Sequence, residues 1–215
     1  FQYASQPSPD GIAQSFIIAE AFLDGSSAAL VLGDNIFYGQ GLSERLKVAT
    51  AREVGATIFA YSVTDAKRYG VVEMNETGRA ISIEEKPNSP KSNMAVTGLY
   101  FCDNQAVQIA SRLKPSPRGE LEITDLLNEY MARDILNVEP LGRGFAWLDT
   151  GTHDSLLDAS TYIAAIERRQ GQKVSCPEEI AWRNKWISDE SLAALAQPFL
   201  KCAYGHYLKA LIERV

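Results

Sequence analysis

The sequence predicts an α/β protein built on a mostly parallel mixed sheet, followed by a helical C-terminal region. Three features carry that reading. Short apolar runs at residues 28–32 and 56–62 alternate with helically spaced apolar residues, giving strand, helix, strand, helix, strand. Residues 69–85 then form a hairpin around Asn75-Glu76-Thr77-Gly78. From Thr152 onward the apolar positions keep helical spacing throughout. With 215 residues, 46% of them hydrophobic, the chain can bury a substantial core.

Taken in order, Phe1-Gln2-Tyr3-Ala4-Ser5 reads as a strand already in progress. Gln6-Pro7-Ser8-Pro9-Asp10-Gly11 reads as a rigid turn. Asp10 is placed to cap a helix carrying Ile12, Phe16, Ile17 and Leu23. Residues 28–32 are apolar without a break and suit a strand buried on both faces. Residues 35–41 read as a glycine-punctuated loop, and 42–53 as a helix. Strands are expected at 56–62, 69–74, 79–85, 94–102, 136–141 and 144–148, with helices at 104–113 and 122–133. In the strand at 79–85, Ile81 and Ile83 should share the one buried face. Thr152 should cap a helix that Gly171 stops, Pro177 should open another, and Ser188 should precede a third. The last helix starts near Tyr204. A core of residues 1–153 and a helical region of residues 154–215 packed on it are expected.

The net charge is −6 and the pI about 5.1, which argues against a nucleic-acid surface. An anionic substrate therefore needs local cations or a metal. Cys102, Cys176 and Cys202 lack metal-site spacing and read as reduced core cysteines. No segment reads as a membrane span or signal peptide, so a cytoplasmic protein with no membrane partner is expected.

The candidate chemistry sits at strand ends. Asp34 follows the run at 28–32, and Asp149 follows the run at 144–148. The carboxyl end of a sheet is where open α/β folds bind ligands, and paired carboxylates suit Mg²⁺. Alternatively, Asp34 and Asn35 only cap a loop. In Glu84-Glu85-Lys86-Pro87, a carboxylate can accept from sugar hydroxyls and a lysine can neutralise phosphate. A solvated strand end is the plain alternative. Arg118, in a Pro-Gly turn, is a second phosphate candidate or an ordinary surface arginine. Gly70, after Tyr69, either admits a ligand close to the backbone or relieves packing. His153 reads as structural and His206 as surface. There is no G-x-S-x-G, H-E-x-x-H, Walker lysine loop or G-x-G-x-x-G, which leaves covalent catalysis without a centre. Phosphoryl chemistry needs none, since positioning and charge neutralisation dominate it.

Several motifs stand in an order that resembles the sugar-phosphate nucleotidylyltransferases. They are Leu32-Gly33-Asp34-Asn35, Tyr69-Gly70-Val71-Val72-Glu73, Glu84-Glu85-Lys86-Pro87, Val96-Thr97-Gly98-Leu99-Tyr100 and Arg118-Gly119-Glu120-Leu121-Glu122-Ile123-Thr124-Asp125. The turn at residues 6–11 and the segment from Gly142 to Thr152 narrow the likeness to the branch acting on dTTP and glucose-1-phosphate. The resemblance covers essentially the whole chain and implies a Rossmann-like sheet. It implies Mg²⁺ as cofactor on Asp34 and Asp149, and dTDP-glucose and pyrophosphate as products, the first step of dTDP-rhamnose synthesis. Gln6, Pro9 and Gly11 would lie at the thymine. Gly70, Glu85 and Val96 would line the glucose, with Leu32 and Tyr69 also binding substrate; Lys86 would contact the sugar phosphate, and Tyr100 and Arg118 would lie close to it. A homotetramer inhibited by dTDP-rhamnose is implied as well. The family's G-G-x-G-T-R-L loop is not among these residues and would precede Phe1, so the chain alone is expected to be nearly inactive. A uridylyltransferase of the same fold and a non-catalytic sugar-nucleotide-binding regulator are the alternatives.

Overall fold

The computed structural model describes residues 1–213 and divides the chain into two compact units, Phe1–Asp149 and Thr150–Val215. The first unit is a mixed α/β sheet with its helices. Its strands are β1 (Ala28–Val31), β2 (Asn35–Gly39), β3 (Ala56–Ser62), β4 (Gly70–Met74), β5 (Ala80–Glu85), β6 (Met94–Cys102), β7 (Leu136–Leu141) and β8 (Phe145–Asp149). Its helices are α1 (Gln14–Ile18), α2 (Glu20–Leu23), α3 (Leu42–Thr50), α4 (Ala106–Ala110) and α5 (Ile123–Ala132). The main sheet has the order β5-β4-β6-β3-β7, with β1 beside β6, while β2 and β8 form a separate two-stranded ladder.

The nine-residue β6 is the spine because it is apolar on both faces and nearly all of it is buried. One face, with Val96 and Tyr100, joins Ile58, Val72, Leu126, Leu127 and Tyr130 in the main core. The other, through Leu99, joins Phe59, Ala49 and Leu141. Each such side chain contributes about 1.5–3 kcal/mol by leaving water. Beneath this core the Tyr130 hydroxyl donates to Asp103 Oδ1 (2.8 Å) and the Gly55 N–H donates to Asp103 Oδ2 (2.7 Å). Burial opposes the Asp103 charge, but these bonds and those from Gln105 hold its carboxyl below the usual range.

The ladders differ in balance from the mostly parallel sheet expected. Among the described residues β3–β7 is the parallel pair, and β1–β6, β3–β6, β4–β5, β4–β6 and β2–β8 are antiparallel. The reason is connectivity. Residues 75–79 join the neighbours β4 and β5, too few for the crossover of a dozen residues or more that parallel neighbours need.

Other expectations are corrected in the same physical terms. Strand β1 is not buried on both faces. Ala28 and Leu30 pack into the core while Ala29 and Val31 face out, Val31 being 56% exposed. Residues 1–5 are exposed coil, not strand, since nothing described pairs with them. Asp10 does not cap α1, whose N-cap is Ala13; its carboxylate accepts from Ser8 and from Gln14 Nε2 (3.2 Å). The loop expected at 35–41 contains β2, because Asn35 to Gly39 pair residue by residue with β8. Ile81 is 52% exposed and Ile83 is buried, because the β4–β5 register shifts beyond Glu73 and a bulge turns Ile81 outward.

The second unit is helical, as expected. Its helices are α6 (His153–Gln170), α7 (Pro177–Arg183), α8 (Asp189–Ala196) and α9 (Ala203–Glu213). Thr152 and Ser155 form a capping box at the start of α6, and Gly171, at φ +65°, ends it. Pro177 occupies the first turn of α7, and the Ser188 hydroxyl accepts from the Ser191 N–H at α8. Cys176, Leu192, Ala196, Leu208 and Leu211 make the core of this unit. Cys102, Cys176 and Cys202 are all free thiols, but Cys202 is exposed and not a core residue. His153 and His206 are exposed on α6 and α9. Among the described residues no helix is long and apolar enough to cross a membrane.

Candidate active site

A hollow of about 180 Å³ in the first unit gathers most of the residues singled out above. Asp34, Asp149, Leu32, Tyr69, Gly70, Glu85, Lys86, Val96 and Tyr100 all line it. A larger hollow, about 820 Å³, runs along Trp182 to Glu190 of the second unit, but it holds none of them. Convergent polar groups, not volume, mark the site.

The two aspartates meet because of β2. Asp34 precedes its first residue, Asn35, and Asn35 stands opposite Asp149 in the β2–β8 ladder. Asn35 then fixes Asp34. Its Nδ2 donates to Asp34 Oδ1 (2.8 Å), while its Oδ1 accepts from the Gly98 N–H (3.0 Å) and from Trp147 Nε1 (2.6 Å). The Gly98 carbonyl accepts from the Leu32 N–H (2.9 Å), so Asn35 Oδ1 takes the Gly98 N–H just past the end of β1. On its other edge β6 bulges against β3. The rungs Ile58↔Tyr100 and Ala60↔Val96 leave residues 97–99 facing Phe59 alone. A Cβ on Gly98 would lie 2.6 Å from Asn35 Oδ1 and 2.8 Å from Leu32 Cβ.

Of the residues expected on the sugar side, Gly70, Glu85, Val96 and Tyr100 come from β4, β5 and β6. Gly70 opens β4, and a Cβ there would lie 2.9 Å from Thr124 and 3.3 Å from Glu85 Oε2. Burial raises the Glu85 pKa, the Glu122 charge raises it further, and Lys86 and Arg118 pull it down. Burial likewise pushes up the Tyr100 hydroxyl, with the Glu85 charge adding to the effect. For Tyr69, burial raises the phenol pKa, Arg68 lowers it, and Asp149 and Asp65 raise it. The Tyr69 ring sits edge-on to Trp147 at 5.0 Å. Lys86 leaves β5 with φ +41°, a left-handed conformation rare for a residue with a side chain, and its N–H donates to the Tyr69 carbonyl (3.0 Å).

Arg118, Gln6, Pro9 and Gly11 lie outside the hollow. Arg118 is held by three carboxylates, with Nη1 at 3.5 Å from Glu85 and 3.4 Å from Glu122, and Nη2 at 2.9 Å from Glu120. Gln6 Nε2 donates to Gln14 Oε1 (2.7 Å) and the Gly11 carbonyl (3.1 Å), and Gln6 lines a separate hollow of about 390 Å³. Gly11, at φ +106°, passes so close to Leu121 that a Cβ would lie 2.3 Å from its carbonyl oxygen. Pro9 lies in the same exposed turn.

The sequence reading missed Asn35, Arg68, Gly98, Thr124 and Trp147 on these walls. Asn35 was readable only as a loop cap until its ladder partner was known. Arg68 adjoins the Tyr69-Gly70 motif, which was the available signal for it.

Residues 1–166 match the nucleotidyl transferase family. The chain is 57% identical over 212 residues to the glucose-1-phosphate thymidylyltransferase of Neisseria meningitidis serogroup A, covering 99% of this chain and 74% of that protein. It is 55% identical to the Mycobacterium tuberculosis protein of the same name, with 99% and 73% covered. A solved Bacillus anthracis structure bearing that name, in complex with a sucrose, superposes with a TM-score of 0.66 at 39% identity, covering 75% of this chain and 64% of that one. A UDP-glucose pyrophosphorylase structure shares the fold at 24% identity, with a TM-score of 0.67 and 75% of this chain and 65% of that one covered. The chain belongs to the nucleotidyl transferase family.

Proposed function

We propose that this chain belongs to a Mg²⁺-dependent enzyme that transfers the nucleotidyl group of dTTP to glucose-1-phosphate, giving dTDP-glucose and pyrophosphate. A sugar-phosphate oxygen bonds to the α-phosphorus of dTTP as the bond to the β-phosphate oxygen breaks. The observation that carries the reading is that Asp34 and Asp149 share one small hollow with Lys86, Glu85 and Gly70.

The physical obstacle is bringing two anions together. Like unit charges about 4 Å apart repel by roughly 4 kcal/mol at an effective dielectric near 20. Lys86 offsets part of this at the sugar phosphate. Glu85 and the backbone at Gly70 orient the sugar, and Val96 and Leu32 supply its apolar wall. Asp34 and Asp149 fit Mg²⁺, which is commonly held by one or two carboxylates plus substrate phosphates. When bound, the ion supplies charge neutralisation between the phosphates. The thymine assignment for Gln6, Pro9 and Gly11, the dTDP-rhamnose pathway, a homotetramer and dTDP-rhamnose as effector are supported by family likeness.

The test is titration of the chain with glucose-1-phosphate, with and without Mg²⁺, followed by backbone NMR. Shifts centred on Gly70, Glu85 and Val96, strengthened by Mg²⁺, are expected. Binding that bypasses these residues contradicts the reading.

A further inference from the structure

The β2–β8 ladder brings Asn35, Trp147 and Asp149 to the hollow, yet it is not part of the main sheet. Where Asp149 stands therefore depends on how β8 is fastened to that sheet. Phe145, Trp147 and Asp149 are spaced two apart, so they share one face of β8, opposite Gly39, Phe37 and Asn35. Asn35 ties the hollow end of this face to β6 through the Gly98 N–H. The other end lies about 13 Å away along the strand, at Phe145, and needs its own tie.

Tyr61, the penultimate residue of β3, makes that tie. Its hydroxyl donates to the Phe145 carbonyl (3.1 Å), and its ring stands edge-on to Trp147 with centroids 6.1 Å apart. One side chain of the main sheet thus touches β8 at two successive positions of the face that ends in Asp149. Its surroundings fix it in turn. Phe59, Leu99, Ala49 and Leu141 form a buried cluster, and Tyr61, Phe37 and Phe145 pack against it. The Phe145 ring lies across Gly39, where a Cβ would strike it. Trp147 is held by Tyr61, by Tyr69 and by the bond from its Nε1 to Asn35, which in turn holds Asp34. Tyr61 itself does not line the candidate hollow but an adjoining one of about 330 Å³.

We infer that Tyr61 is a positioning residue of this site: it fastens β8 to the main sheet and so sets where Trp147 and Asp149 stand for the divalent ion. The inference rests on the proposed Mg²⁺ site and adds a residue that acts on it from behind. Removing a group that orients a metal ligand in this way costs about 10- to 100-fold in metal affinity.

The experiment measures Mn²⁺ binding by electron paramagnetic resonance in the presence of glucose-1-phosphate, and the Trp147 indole N–H resonance in the ion-free chain. Tyr61→Phe keeps the ring and loses the bond to Phe145. It should weaken Mn²⁺ binding about 10-fold and shift the indole resonance. Tyr61→Leu loses both contacts and should weaken binding further, toward about 100-fold. Tyr130→Phe is the control, because it deletes a hydroxyl in the main core, where it donates to Asp103. It should lower the urea midpoint and leave both the Mn²⁺ affinity and the indole resonance unchanged. Parental Mn²⁺ affinity in the Tyr61 variants overturns the inference, as does an equal loss in Tyr61→Phe and Tyr130→Phe. Asp149→Asn tells the two readings apart. If it binds Mn²⁺ as tightly as the parent, the metal site falls and the Tyr61 role with it. If it loses Mn²⁺ while the Tyr61 variants do not, the positioning role alone falls.

Discussion

At Lys86 the backbone and the side chain make opposite demands. The residue sits at φ +41°, where a Cβ crowds the carbonyl and costs about 1–2 kcal/mol, yet its side chain lines the candidate site. Lys86→Ala removes the ammonium and keeps the Cβ, so stability should stay near that of the parent. Lys86→Gly removes both. It gains the relief of strain and loses about 0.4–1 kcal/mol through the freer unfolded chain. The glycine variant should therefore be more stable than the alanine variant by about 0.5–1 kcal/mol, roughly 1–4 °C in Tm for a protein of this size. Both should lose glucose-1-phosphate affinity about 10- to 100-fold, because both lack the same point charge. Urea unfolding of the three proteins gives the stabilities, and ligand titration gives the affinities. A glycine variant no more stable than the alanine variant refutes the strain argument. A variant that binds sugar phosphate as tightly as the parent refutes the role of the side chain.

Two further substitutions probe how the walls are held. Gly98→Ala should push Asn35 aside, destabilising by about 1–3 kcal/mol as overpacking does, and should weaken divalent-ion binding through Asp34; unfolding curves and a metal titration measure both. Glu122→Gln should lower the Glu85 pKa, read from its side-chain carboxyl resonance, while its amide oxygen still accepts from Ser116. A carboxyl raised in the folded state favours folding at acid pH, and that contribution is lost as pH rises through the raised value. The substitution should flatten this decline, seen as a smaller change in urea midpoint between acid and neutral pH.

Much of the fold is legible where one signal dominates. The apolar runs of β3, β6 and β7 lie at their expected bounds, and α6 runs from the Thr152 cap to Gly171. What escaped depends on partners distant in sequence. Asn35 to Gly39 carries only a short β-favouring run, Ile36-Phe37-Tyr38, between Asn35 and Gly39, and its pairing with β8 makes it β2. Ile81 keeps its period-two spacing but is turned out by a bulge fixed by its neighbour strand. In the site, Asp34 and Asp149 were readable as strand-end carboxylates. The contacts of Asn35 with Gly98 and Trp147 were not, because they require the register of two sheets at once.

The proposed function requires Asp34 and Asp149 to serve one divalent ion. Mn²⁺ binding in the presence of glucose-1-phosphate, followed by electron paramagnetic resonance, addresses this in the parent, Asp34→Asn, Asp149→Asn and the double variant. A single site is expected, lost to a similar degree in each single variant, with little further loss in the double. Two independent sites, or single-variant losses that simply add, would contradict the account.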